Sequence, residues 1–468
     1  MPDVEGLLTR YESIARDITR LAQSGKKMLV VTHIDADGLT SGAIVFTCLT
    51  RAGANVAVRC VPDLDSSLIK ELESQKYDLY IFTDLASTLV PELEEAFDGR
   101  FLVIDHHQLS DESMEKPTVV NAWKYGFDGG KEASSASMAY FFAVAASVLN
   151  RDLAPLAVVG AVADRQDVGP NRSLMGLNRA ALEDAQSGGL VTVSRDLLFT
   201  GRETRPIHEA VALTSTPYLT GLTGSKDAAL AVLHQAGLRL KDGGSWRTIS
   251  SLDSDEKMKL TEVIAGVVGP SGGATETIAS LVGEVYTLEF EDSFTPLRDA
   301  REFGTLLNAC GRMGVTGAGI SVCLGDRSYA LSEAISTLTD YRTSINKAIQ
   351  GLMDDPQRIE QHGSLVFVHG EGLVDEKLLG PVASILTSSP AFRGKVVVAT
   401  TSSGDQESKV SCRVGDSFAG PINLGLIMKE VAGAVKGVGG GHAMAAGAKI
   451  PSSETGSFTK LVAERVGC

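Results

Sequence analysis

Four times within its first 164 residues the chain runs through a short apolar stretch and stops on an acidic or imidazole side chain. Residues 28–31 lead into His33, Asp35 and Asp37; residues 79–83 end at Asp84; residues 101–104 end at Asp105, His106 and His107; residues 156–162 end at Asp164. Short uninterrupted apolar runs are what strands of a parallel sheet buried on both faces look like. Segments with helical spacing lie between them, from about Gly42 to residue 52 and near 65–75 and 88–98, with further strands near 55–61 and 117–120. Alternation of this kind predicts a doubly wound parallel sheet. Ligands of such sheets sit in the crevice beyond the strand ends.

An Asp after a strand is an ordinary turn residue, and an Asp-rich turn can simply cap the next helix. Four such endings in order are not explained that way. Carboxylates and imidazoles gathered at one sheet edge repel or stay poorly satisfied unless a cation joins them. Oxygen and imidazole donors without thiolate suit Mn²⁺ or Mg²⁺ better than structural zinc. The six cysteines (Cys48, Cys60, Cys310, Cys323, Cys412 and Cys468) are scattered without paired spacing, which argues against zinc and against a disulfide framework.

The run HIDADG at 33–38, the isolated Asp84, the triplet Asp105-His106-His107 and the Asp of GAVADRQD at 160–167 resemble the four motifs of the DHH phosphoesterases. Within that superfamily the chain most resembles the RecJ-type single-strand exonucleases, and among these the archaeal nucleases associated with the GINS replication complex. The resemblance implies a two-metal Mn²⁺ centre, with Mg²⁺ as the alternative, held by Asp35, Asp37, Asp84, His106 and Asp164, Asp84 bridging. His33 stands where the bacterial nucleases carry an acidic residue, and it either binds the first metal or orients Asp35. By the same resemblance Asp105 orients a neighbouring imidazole, and His107 touches the scissile phosphate or a leaving oxygen.

Residues 4–22 have the spacing of an amphipathic helix that covers the sheet, and 133–150 and 153–162 read as apolar helices. Ser134 to Ser137 read as a helix start in preference to substrate hydroxyls, and Arg172 of the Asn171-Arg172 pair as structural. Residues 195–295 carry no ligand cluster, and isolated His208 and His234 read as surface or packing groups. The segment RDAREFGTLLNACGR at 298–312 resembles the family segment ending in Asn-Ala-x-Gly-Arg. That implies Arg312 on a substrate phosphate, with Asn308 orienting it or capping the turn. From residue 364 strands and helices alternate again, as in the DHH-associated domain. Its marks are Ser411 and Arg413 in KVSCR and the run Gly439, Gly440, Gly441, His442. Consecutive glycines let backbone N–H groups cradle an anion, and a helix expected to follow adds its N-terminal dipole. The resemblance assigns Ser411, Arg413 and the glycine backbone to the phosphate next to the scissile bond, with His442 contacting it.

At 468 residues the chain has room for two or three domains. The expected class is α/β: a doubly wound DHH catalytic domain over 1–194, a small inserted or linker domain over 195–297, connecting helices over 298–357, and a smaller α/β DHH-associated substrate-binding domain over 358–468. No apolar run is long enough to span a bilayer and no signal segment opens the chain, so the expectation is a cytoplasmic protein without a membrane partner. A net charge of -15 excludes a general DNA coat. A local groove can still neutralise the phosphates it touches, so the charge favours short or end-bound substrates. The expected function is metal-assisted hydrolysis of terminal phosphodiesters of single-stranded DNA or RNA, releasing mononucleotides, with GINS and the replicative helicase as partners. The alternatives are a small-substrate phosphoesterase (oligoribonucleotides, cyclic dinucleotides or phosphoadenosine phosphate) and a non-catalytic replication scaffold, the latter disfavoured because every motif carboxylate is present.

Overall fold

The computed structural model describes residues 2–269, 274–404, 406–415, 418 and 420–466, so Cys468 lies outside the described residues. The chain divides into two compact units: Met1–Ala210 with Arg239–Lys257 and Ala279–Leu338, and Val211–Leu238 with Met258–Ile278 and Thr339–Cys468. No helix of the described residues is long and apolar enough to cross a membrane.

The first unit begins α1 (Val4–Gln23), β1 (Lys27–His33), α2 (Ala36–Arg51), β2 (Asn55–Val61), α3 (Ser66–Ser74), β3 (Leu79–Thr83), α4 (Val90–Phe97) and β4 (Phe101–Asp105). It continues with a short α5 (Asp111–Met114), β5 (Val119–Asn121), α6 (Ser135–Ala146), α7 (Ala154–Ala163), α8 (Gly176–Ser187) and β6 (Val191–Leu197). Strands β1 to β5 are all parallel in the order β2-β1-β3-β4-β5, the doubly wound sheet expected from the alternation of elements. The direction in which successive strands are added reverses between β1 and β3, and the crevice of such a sheet opens at that switch point. His33 ends β1, Asp84 follows β3 and Asp105 ends β4, so all three sit at the strand ends that face it.

Successive strand residues point to opposite faces. Leu29, Val31, Tyr80, Phe82 and Val103 pack with Ile69 and Leu72 of α3 and with Leu93 and Phe97 of α4. The Tyr80 and Phe97 rings stack at 4.2 Å. On α2, glycines allow close approach to β1: a Cβ on Gly38 would lie 2.4 Å from the His33 carbonyl oxygen, and one on Gly42 would lie 2.7 Å from Thr32 Cγ2. Helix α2 starts at Ala36 rather than near Gly42. The reason is that Asp35 caps it, accepting from the Gly38 N–H at 3.0 Å. Likewise α6 stops at Ala146, short of residue 150, and Ser134 caps its start.

Beyond β6 come α9 (Ile207–Leu213), α10 (Lys226–Gln235), the hairpin β7 (Lys241–Asp242) and β8 (Ser245–Trp246), α11 (Ser254–Val268) and α12 (Ala274–Leu281). Strand β9 (Val282–Leu288) then returns antiparallel to β6, so the stretch between them is divided between the two units. Helices α13 (Ala300–Arg312), α14 (Thr316–Cys323) and α15 (Tyr329–Asp354) follow.

The second unit contains β10 (Ile359–His362), β11 (Leu365–His369), α16 (Leu379–Ser388), β12 (Val396–Ser403), β13 (Glu407–Val414), α17 (Leu424–Ala434), β14 (Val438–Gly441), β15 (Ala445–Pro451) and α18 (Thr455–Val466). Its six strands run in the order β10-β11-β12-β13-β15-β14, with only β11 and β12 parallel. One face buries Phe367, Val398 and Cys412 under Met428 and Phe458. The other buries Val368, Val397 and Ala399 under Val382 and Leu386, with Ile345 and Leu352 of α15.

The glycine run corrects one expectation. Residues 438–441 form the edge strand β14, and another strand, β15, follows instead of a helix. Alternating burial of Ala446, Ala448 and Ile450 explains the strand, since period two is the mark of a half-buried sheet. The nearby helix N-terminus belongs to α17, which precedes the run. Its first amides are already used: Leu424 and Gly425 donate to the carbonyls of Ala443 and His442 at 2.9 and 3.1 Å. The helix dipole is therefore spent on the turn. What the register does provide is a bare row across three strands, Ser411 opposite Gly447 and Gly447 opposite Gly440. A Cβ on Gly440 would meet no atom within 4 Å.

Candidate metal centre

The carboxylates and imidazoles of the four sequence motifs converge on the crevice of the first unit. His33 Nδ1 lies 3.0 Å from Asp35 Oδ2 and 3.5 Å from Asp84 Oδ2. His106 Nε2 lies 3.3 Å from Asp84 Oδ1, 3.8 Å from Asp37 Oδ2 and 3.9 Å from Asp164 Oδ2. Three sets of donor atoms each lie within 4.8 Å of one another: His33, Asp35 and Asp84; Asp37, His106 and Asp164; and Asp84, Asp105, His106 and His107. Asp84 and His106 each belong to two of the sets.

Local folding explains each position. Asp37 sits in the first turn of α2, and its carboxylate accepts the first amides of α6, from Ser135 at 2.7 Å and Ala136 at 3.0 Å. Asp84 turns out of β3 with φ of +61°, a left-handed conformation that non-glycine residues adopt at a cost and that clusters at functional sites. Asp164 caps the end of α7. Asp105 is fully buried and accepts from Ser87 Oγ at 2.5 Å and the His106 N–H at 2.8 Å. It also accepts from His107 Nδ1 at 2.8 Å.

Asp84, Asp37, His106 and Asp105 have side chains no more than 3% exposed, whereas His33, Asp35, Asp164 and His107 are 27–39% exposed. The cluster therefore has a closed floor and an open rim. Asp84 Oδ1 is buried without a hydrogen-bond partner; the His106 contact falls within ion-pair distance but lacks hydrogen-bond geometry. An orphaned carboxylate oxygen in a dry floor is costly unless a cation completes it. The donor set fits a divalent ion on that ground.

Charge is strongly perturbed here. Burial opposes the charged form of His33 and His106, yet facing carboxylates outweigh it and raise both well above the usual imidazole value: Asp35 and Asp84 for His33, and Asp84, Asp164 and Asp37 for His106. Burial and then the Asp84 charge raise Asp37 well above the carboxylate range; burial likewise raises Asp164. Burial would also raise Asp35 and Asp105, but His33 and His107 respectively hold them far below it. Asp105 in turn raises His107 against its burial.

Sequence reading missed Gln166. It is fully buried, and its amide nitrogen donates to Asp164 Oδ2 at 2.8 Å and to the Gly129 carbonyl at 2.8 Å. The same carbonyl accepts from His106 Nδ1 at 2.6 Å, which leaves the Nε2 lone pair for the crevice. Asn178 fixes the other end of the amide at 2.7 Å. Gln166 thus holds one carboxylate and one imidazole of the same donor set. Replacing it with leucine is expected to weaken Mn²⁺ binding by about ten- to a hundredfold, the usual cost of losing such a partner. Calorimetric titration checks this, and unchanged affinity would show that Gln166 only packs.

Asn308 of α13 accepts from the Ala36 N–H at 3.0 Å, so it caps the turn that carries Asp35 and Asp37. Gly311 lets α13 lie on that turn, because a Cβ there would fall 1.8 Å from the Ile34 carbonyl oxygen. Arg312 is half-buried at the end of the same helix. Arg172 is tied to Asp167, which also binds Arg301 at 2.7 Å; that is a structural pair. In the second unit Ser411 is buried, and Arg413 donates to Ser384 Oγ and to the carbonyls of Cys412 and Ala446. Gly439, Gly440 and Gly441 form the edge strand on the far side of β15 from them, and His442 is exposed in the turn that follows.

Family models now bear on the same residues. The model of the DHH family N-terminal domain matches residues 27–161, that of the DHH-CID domain 198–282 and that of the DHHA1 domain 364–467. The chain belongs to the DHH family. This DHH phosphoesterase is 27% identical to an uncharacterized protein of Methanocaldococcus jannaschii over 447 residues, 94% of this chain and 93% of that one. Its fold is similar to crystallised RecJ of Thermus thermophilus in complex with Mn²⁺, with a TM-score of 0.58 and 18% identity over 97% of this chain and 54% of that one. It therefore spans about half the length of that RecJ. CDC45 of Entamoeba histolytica is also similar in fold, with a TM-score of 0.67 and 11% identity over 98% of each chain. The DHH protein is thus RecJ-like in architecture.

Proposed function

We propose that this DHH protein is a metal-dependent, single-strand-specific exonuclease that hydrolyses terminal phosphodiester bonds of DNA or RNA and releases mononucleotides. The observation that carries the reading is that two of the three donor sets share Asp84, whose buried Oδ1 lacks a hydrogen-bond partner, while His106 links the third set to it. His33, Asp35 and Asp84 would hold one divalent ion, and Asp84, Asp37, His106 and Asp164 a second. The RecJ structures containing Mn²⁺ and Mg²⁺ support a choice between these two ions. When bound, such a pair supplies positive charge for the phosphate and lowers the pKa of an attacking water.

The chain's own groups do the rest. Asp105 keeps a proton on His107 and aims the half-exposed ring at the open rim, where an imidazolium meets a phosphate oxygen. The Gly129 carbonyl keeps the His106 proton on Nδ1, away from the crevice, and Gln166 donates to that same carbonyl. Arg312 supplies a guanidinium fork for a phosphate, on a helix that Asn308 and Gly311 lock to the Asp35 turn. In the second unit Ser411, Arg413, the glycines of edge strand β14 and His442 are the groups that would take a nucleotide phosphate. Docking to GINS and the replicative helicase belongs to the same reading and rests on the archaeal resemblance of the sequence; a pull-down with purified GINS tests it.

The deciding experiment digests strands of about 20 nucleotides, longer than any single-strand site requires, labelled at either end, in DNA and RNA form, with Mn²⁺. Stepwise loss of mononucleotides from one end is expected, with duplex spared. The net charge of -15 favours a second reading, a small-substrate phosphoesterase. Cleavage of a dinucleotide with the long strand untouched would establish that instead.

A further inference from the structure

Away from the motif residues, the hairpin β7–β8 holds an aromatic ring out in solvent beside a cation. Its turn is Gly243-Gly244, with φ of +53° and +90°, values of a two-residue hairpin turn that glycine adopts without strain. The turn sets Lys241 opposite Trp246. Lys241 Nζ lies 4.4 Å from the indole centroid, and the His208 ring lies 5.2 Å from it at 48°. Residues 241–246 are all exposed, and Trp246 leaves 48% of its surface in water.

We infer that this hairpin is a stacking site for a base of single-stranded nucleic acid, with Trp246 as the platform and Lys241 and Arg239 meeting the flanking phosphates. The ligand class rests on the nuclease reading above; the site itself rests on the hairpin. Every base offers a π-face, so an exposed indole binds single strands without regard to sequence. The ring already draws an ammonium, and the flexible lysine stem can hand that charge to a phosphate when a base arrives. Arg239 and Lys241 offer exposed positive charge on the hairpin beside one exposed acid, Asp242, with Glu256 facing Arg239. A protein hot spot would set the indole in an apolar surround, but Trp246 is the only large apolar side chain among the exposed residues of 239–246.

The test uses the metal-free full-length protein, so that binding is read without hydrolysis, and a thymidine oligomer of about 15 nucleotides, long enough for one site. Trp246 is one of two tryptophans; the other, Trp123, donates to the His106 carbonyl at 3.0 Å and is left intact. Oligomer is expected to quench the fluorescence of the wild-type protein. Trp246→Ala should weaken binding by about tenfold, a typical loss for one stacked base, and remove most of the quenching, while Trp246→Phe retains most of the affinity. Lys241→Gln should lower the slope of log affinity against log salt by about 0.7, one single-strand phosphate. Wild-type affinity in Trp246→Ala, or quenching that survives it, overturns the inference; if that variant instead loses capture of a protein partner, the indole belongs to that partner. Digestion of the same oligomer with Mn²⁺ is scored separately: its absence sinks the nuclease reading and leaves the binding result standing.

Discussion

Asp84→Ala is expected to abolish phosphodiester hydrolysis, by at least about a thousandfold or roughly 4 kcal/mol of barrier, and to leave the fold intact. Asp84 is common to two donor sets, so its loss removes a ligand from both proposed ions at once. Its φ of +61° makes Asp84→Asn the companion variant, since Asn tolerates that conformation better than Ala. Asn removes a buried charge that has no hydrogen-bond partner on Oδ1. The metal-free Asp84→Asn protein should keep the wild-type fold while being inactive. Circular dichroism with an activity assay reads both effects. Turnover surviving in either variant with added Mn²⁺ would refute the site assignment.

The second large effect concerns pH and metal together. His33, His106, Asp37 and Asp164 are all raised in the folded protein. A raised group stabilises the fold fully below its unfolded value, about 6.5 for His and about 3.9 for Asp, and that contribution fades as pH rises through the folded value. The lowered groups Asp35 and Asp105 act only in acid, below about pH 4. As pH rises above about 6.5 the metal-free protein should consequently lose thermal stability. Divalent ions bind the deprotonated donors, so Mn²⁺ affinity grows over the same range and binding releases protons. At a thousand times Kd the ion adds about 4 kcal/mol, or roughly 6 °C for a unit of this size. Thermal scans with chelator and with Mn²⁺ across that range give the comparison. A metal-free Tm that rises with pH, or a Mn²⁺ shift independent of pH, would contradict this electrostatic picture.

The legible parts of the protein were those written in period and punctuation. Apolar runs ending at His33, Asp84 and Asp105 gave the parallel sheet and its rim because a strand buried on both faces has few other ways to look. The start of α2 was less legible: Asp35 is both a donor to the crevice and an N-cap, and composition alone does not say which residue of an Asp-rich turn begins the helix. Gln166 was invisible for a different reason. It is one amide in the polar run Asp164 to Asp167, and its importance comes from Gly129 and Asn178, distant in sequence and brought to it only by folding. The glycine run misled because GGG suits a cradle loop and an edge strand equally. The alternation in Ala446, Ala448 and Ile450 was the signal that would have separated them.

The most direct measurement is a calorimetric titration of the metal-free protein with Mn²⁺ at neutral pH. Two ions per chain are expected, bound with release of protons, with both sites weakened together in Asp84→Ala. A stoichiometry of zero or one, or an Asp84→Ala protein that binds as the wild type does, would contradict the proposal that these side chains were gathered to hold a pair of cations.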